Sequence, residues 1–150
     1  MALELAGNPI YMATAHVEDD DFRARVRIHQ ERRGKEWTTI EEERWLSRHD
    51  VSGRVVLVDC CTLWLANFIM SEPPETMSAQ LALMEEEFCR LVAQDATFIF
   101  VTNEIGLGGT SANELQRKFA DLLGLLNQFV AARADEVYFV VSGIPLKIKG

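Results

Sequence analysis

An α/β fold, built on a mainly parallel sheet with helices on both faces, is the class this sequence predicts, and three observations predict it. Apolar segments of strand length (PIYMATA, RVVLVDC, ATFIFVTN, EVYFVVSG) alternate along the chain with segments of helical periodicity. The strand segments are continuously apolar, the pattern of strands covered on both faces. Their carboxyl ends gather the residues able to do chemistry: Ala13-Thr14-Ala15, then Asp59, then Asn103 and Glu104. Ligands of open parallel sheets collect at those ends.

Each element has its own justification. Pro9 to Ala15 reads as a short buried strand, followed by the acidic cluster Glu18 to Asp21. A helix is predicted from about Asp20 to Arg33, where Gly34 supplies the stop. In EWTTIEEERWLSRH, Thr38-x-x-Glu41 and Thr39-x-x-Glu42 both match a capping box, which predicts a short helix there. RVVLVDC is the next strand, and the apolar TLWLANFIM the helix after it. SEPPET is a loop. Met77, Leu81, Met84, Phe88 and Leu91 recur at helical spacing. ATFIFVTN is a strand that leads into the glycine-rich GLGG. Leu115, Phe119, Leu122, Leu126 and Phe129 mark a second long amphipathic helix. EVYFVVSG is a strand, and PLKIK a final edge strand beginning at Pro145.

The bulk properties bound the function. A chain of 150 residues suits a single domain, residues 1–150. A formal net charge of −8 argues against nucleic acid as a partner, because a phosphate backbone demands a basic surface. A few local arginines can still hold a single nucleotide. No segment approaches the roughly 20 apolar residues of a membrane span, and the N-terminus MALELAGNP lacks the features of a signal peptide. Cys60, Cys61 and Cys89 show no metal-like spacing, and adjacent cysteines pair poorly. A cytoplasmic location is the corresponding expectation.

Among residues that could carry chemistry, His29 stands out. Phe22, Val26 and His29 share one face of the predicted helix, with Arg25 a turn before His29 and Arg32 and Arg33 a turn after. A histidine that attacks phosphorus must be neutral and needs cations for the phosphoryl oxygens; neighbouring arginines serve both needs. The same pattern also suits a packed helical histidine whose arginines pair with Glu18 to Asp21 and Glu31. His16 and His49 have no comparable neighbours. Asp59, at a strand end, is either a Mg²⁺-holding carboxylate or a cap for the next helix. Glu104 is a base, a ligand, or part of a glycine-dependent turn. Glu41, Glu42 and Glu43 fit a solvated helix start, although one such carboxylate beside a guanine would accept its two ring-edge N–H donors.

The stretches YMATA, DDDFRARVRIHQERRGKEWTTIEE, VVLVDCCTLWLANFI, VTNEIGLG and ADEVYFVVSGIPLKIK span nearly the whole chain. Together they resemble the bifunctional adenosylcobinamide kinase / adenosylcobinamide-phosphate guanylyltransferase family of cobalamin biosynthesis. The most specific piece is R-x-x-x-H-Q-x-x-R-x-x-x-W-T-x-x-E, from Arg25 to Glu41. The resemblance implies that His29 is the histidine that becomes guanylylated. It implies nucleotide binding by Ala13, Thr14, Ala15, Gln30, Glu31, Arg32, Arg33, Glu41 and Asp59, with Asp59 the protein partner of Mg²⁺. The implied substrates are adenosylcobinamide, its phosphate, GTP and ATP, and the implied assembly is a homo-oligomer.

The implied fold is a P-loop NTPase (RecA-like) type missing its first strand and phosphate loop. Relatives begin with a strand and a G-G-x-R-S-G-K-S loop, whereas here MALELAG resembles the tail of the helix that follows that loop. The expectation is an N-terminally truncated chain, less stable than a complete relative or self-associated over the gap, with impaired activity. GTSAN after Gly109 also departs from the valine-proline pair of many relatives. A non-catalytic, degenerate nucleotide-binding or oligomerisation domain is the alternative. A different small P-loop-type kinase accounts for Asp59 but not for the His29 segment.

Overall fold

The computed structural model describes residues 1–15, 34–70, 72–73 and 76–150. They form two units, Met1–Asn103 and Glu104–Gly150. The predicted Asp20–Arg33 helix lies outside the described residues, as do Ser71, Pro74 and Glu75 of the predicted loop.

The first unit opens with one turn of helix, α1 (Ala2–Leu5). Its sheet consists of β1 (Ile10–Ala13), β2 (Thr38–Glu41), β3 (Val55–Asp59) and β4 (Thr97–Val101), in the order β2-β1-β3-β4. All three pairings are parallel. The parallel α/β expectation is met, and helices flank the sheet. β3 is central, and Val56 and Val58 are fully buried, as a strand covered on both faces requires.

Helix α2 (Cys61–Ile69) begins one residue after the strand bearing Asp59. It buries Cys61, Trp64, Leu65, Phe68 and Ile69, a wide apolar stripe. Helix α3 (Met77–Val92) buries every residue of its predicted stripe, and Glu87 beside it. Glu87 is an acid in the core, and it is satisfied there. Its Oε1 accepts from Ser47 N at 2.6 Å, and its Oε2 from Ser47 Oγ at 3.0 Å and Arg90 Nε at 3.2 Å. The two bonds from Ser47 tie α3 to the short 3-10 turn Leu46–Arg48.

The capping boxes do not start a helix. Thr38–Glu41 is strand β2, in register with β1 from Ile10↔Thr38 to Ala13↔Glu41. Thr38, Thr39 and Ile40 are β-branched, and their stiff side chains suit a pleated surface better than a helix. T-x-x-E spacing cannot register the partner strand that decides between the two.

In the second unit, α4 (Glu114–Arg133) is capped by Asn113, whose side chain accepts from Gln116 N at 3.1 Å. Leu122 and Leu126 of the predicted stripe are buried, together with Leu123, while Leu115 is exposed. β5 (Val137–Val141) and β6 (Ile144–Lys149) form an antiparallel hairpin. Ser142 and Gly143 make its two-residue turn with φ of 52° and 78°, the left-handed pair that hairpin twist demands. EVYFVVSG is therefore a strand followed by a turn, and the final strand pairs with it directly.

Candidate active site

Parallel register brings three strand ends into one row. Ala13 stands beside Glu41 on one side and Asp59 on the other, and Asp59 stands beside Val101. Three residues singled out from sequence, more than 17 positions apart along the chain, thus become neighbours at the carboxyl edge of the sheet. That edge is where such folds bind ligands.

Polar contacts brace the row. The Tyr11 hydroxyl donates to Asp59 Oδ2. Thr14 N donates to Asp59 O at 3.1 Å. Thr14 Oγ1 accepts from Cys60 N at 2.8 Å and donates to Cys60 O at 2.9 Å. Asn67 Nδ2, on α2, donates to Thr14 O at 2.7 Å and to Glu43 O at 2.9 Å, spanning the segments that leave β1 and β2. Asn103 N and Nδ2 both donate to Thr62 Oγ1, at 3.1 and 2.9 Å, joining the end of β4 to the first turn of α2. The Asp59–Cys60 peptide bond is cis.

Thr14 is fully buried, and its amide, carbonyl and hydroxyl all have protein partners. Its place in the site is as a lock between β1 and the Asp59–Cys60 corner. Ala13 and Asp59 are half-buried, and Glu41 is exposed. His29, Gln30, Glu31, Arg32 and Arg33 lie outside the described residues, as does His16. Glu104 belongs to the second unit, where Asn127 Nδ2 donates to its Oε2 at 3.3 Å.

The electrostatics of the loop after β2 turn on Glu42. Partial burial pushes its carboxyl up, but the amides of Trp45 and Arg44 and the His49 imidazole together outweigh burial and hold it below its ordinary value. Both amides donate to Glu42 Oε1 at 3.1 Å. His49 Nε2 lies 3.6 Å from Glu42 Oε2, too far for a hydrogen bond and close enough to pair when protonated. Burial drives the Cys60 thiol up and the Cys61 thiol to about 12, so neither is a ready thiolate.

Asp59 is a carboxylate at this edge that could hold a metal. Among the described residues no group of three or more His, Cys, Asp or Glu is placed to hold an ion by itself. An oriented carboxylate such as Asp59 could share a Mg²⁺ ion with phosphate oxygens.

Tyr11 and Asn67 escaped the sequence reading. Each left a signal: Tyr11 precedes Ala13 by two residues and so shares its face, and Asn67 is the one amide in an apolar helix.

The chain matches, over residues 1–148, the model of the family described as cobinamide kinase / cobinamide phosphate guanyltransferase. It is 36% identical over 144 residues to the bifunctional adenosylcobalamin biosynthesis protein CobP of Pseudomonas aeruginosa, covering 93% of this chain and 82% of that protein. The corresponding CobU protein of Escherichia coli is 35% identical over 156 residues (93% and 85%), and that of Salmonella typhimurium 34% over 154 (93% and 85%).

Proposed function

The chain belongs to the cobinamide kinase / cobinamide phosphate guanyltransferase family, and from that premise we propose that it acts in cobalamin biosynthesis as a guanylyltransferase working through His29. The observation that carries the reading is the row Glu41–Ala13–Asp59 at the carboxyl edge of the sheet.

In the proposed reaction an imidazole nitrogen of His29 attacks the α-phosphorus of GTP. The bond to the β-phosphate oxygen breaks, and pyrophosphate leaves. A phosphate oxygen of adenosylcobinamide phosphate then attacks the same phosphorus, the P–N bond breaks, and adenosylcobinamide-GDP is released with His29 free. Arg32 and Arg33 neutralise the phosphoryl oxygens, with Gln30 and Glu31 lining the nucleotide beside them. Glu41 accepts the two ring-edge N–H donors of guanine. Ala13 and Ala15 pack against the nucleotide through backbone and methyl groups, and the buried Thr14 holds the segment in place. Asp59 holds Mg²⁺, which when bound offsets charge on the phosphate chain.

The family's other half-reaction moves a phosphoryl group from ATP or GTP to the hydroxyl of adenosylcobinamide. A polypeptide of these 150 residues contains no G-x-x-x-x-G-K-[ST] segment, and that half-reaction is proposed to be impaired in it. The reading includes a homo-oligomer in the cytoplasm; no described helix is long and apolar enough to cross a membrane.

Intact mass spectrometry after incubation with GTP and Mg²⁺ tests the proposal. A weak GMP adduct, absent in His29→Ala, is expected. An adduct that survives in His29→Ala moves the nucleophile elsewhere. No adduct in the unmodified chain favours the non-catalytic, nucleotide-binding alternative.

A further inference from the structure

Tyr11 lies on the same face of β1 as Ala13, and its register partner on β3 is Leu57, two residues before Asp59. That places Tyr11 and Asp59 on a diagonal across the strand pair, a separation that a long aromatic side chain can bridge. Contacts with two described residues hold the phenol. Its hydroxyl donates to Asp59 Oδ2, and its ring meets Trp37 edge-on, with centroids 6.0 Å apart and planes at 86°.

The chemistry of this donor matters. An arginine or lysine in its place would orient Asp59 and also cancel its charge. A phenol orients the carboxylate and leaves the negative charge for a cation. With Asp59 as the carboxylate of the donor set among the described residues, the affinity for a cation depends on how that group is presented. Hydrogen-bonding partners of metal ligands commonly set that presentation.

The geometry points to Tyr11 as a positioning residue that aims Asp59 at a divalent cation shared with the nucleotide phosphates. The inference rests on the reading of Asp59 as the metal's protein ligand.

The test compares the unmodified chain with Tyr11→Phe and Asp59→Asn. Affinity for a fluorescent GTP analogue is measured in EDTA and again in saturating Mn²⁺, and the ratio gives the metal-dependent gain. Tyr11→Phe keeps the ring and its contact with Trp37, so its affinity in EDTA is expected to be unchanged. Its metal-dependent gain is expected to fall by about tenfold, the usual effect of losing a ligand's hydrogen-bonding partner. Asp59→Asn is expected to lose at least as much. An unaltered gain in Tyr11→Phe beside a reduced gain in Asp59→Asn overturns the role of Tyr11 and leaves the metal reading standing. Equal gains in the unmodified chain and Asp59→Asn overturn the metal reading, and this inference with it. A loss in Tyr11→Phe that is as large in EDTA as in Mn²⁺ marks general damage and also overturns it.

Discussion

Replacing Thr14 by valine removes one oxygen and leaves almost the same volume, so the change isolates what that oxygen does. Thr14 is fully buried, and its hydroxyl serves Cys60 twice, accepting from the amide at 2.8 Å and donating to the carbonyl at 2.9 Å. Valine leaves the buried Cys60 N–H without a partner, at a cost of about 1–3 kcal/mol, whereas the Cys60 carbonyl keeps its bond from Trp64 N at 3.0 Å. Only the amide is orphaned, so a loss of about 2 kcal/mol is expected. Thr14→Ser retains the hydroxyl and loses one methyl, worth about 1 kcal/mol. Urea denaturation followed by tryptophan fluorescence is a suitable assay, because Trp37, Trp45 and Trp64 all lie in the first unit and report on it alone. The expected order of midpoints is unmodified chain, then Thr14→Ser, then Thr14→Val well below. A valine variant as stable as the unmodified chain, or a serine variant as weak as the valine one, would refute the reasoning, since the loss would then not follow the hydroxyl.

Two further outcomes follow from the same contacts. Glu87 accepts three hydrogen bonds in the core, so Glu87→Ala leaves Ser47 N unpartnered and a cavity beside it; a cost of about 3 kcal/mol is expected by the same urea assay, and a change under about 1 kcal/mol speaks against it. The Glu42 carboxyl is held below its ordinary value of 4.5, so its contribution to stability is complete above that pH and is lost as the pH falls through the lower folded-state value. Urea midpoints measured downward from pH 5 should therefore fall more steeply in the unmodified chain than in Glu42→Gln, and parallel curves would count against the assignment.

Local pattern was enough for β1, β3 and β4, for α2 and α3, and for Asp59 and Ala13 as strand ends, because periodicity and strand polarity are written within a few consecutive residues. It misread β2 for a local reason: Thr38-Thr39-Ile40 carries both a capping-box spacing and β-branched side chains, and only the partner strand separates the two. It placed Ser142 and Gly143 at the end of β5 without reading the turn that pairs β5 with β6.

Within this site, the sequence by itself determined which residues stand at the carboxyl ends of strands, and the resemblance that points to a family. What only the tertiary structure decided is how those ends are joined. The Tyr11–Asp59 bond spans 48 positions, the Thr14–Cys60 pair 46, and Asn67 reaches back 53 to Thr14 and 24 to Glu43. Helical and strand periodicities extend over a handful of residues. Contacts this long arise only when the parallel register of β2, β1 and β3 brings distant segments side by side, and that register is set by burial across the whole sheet.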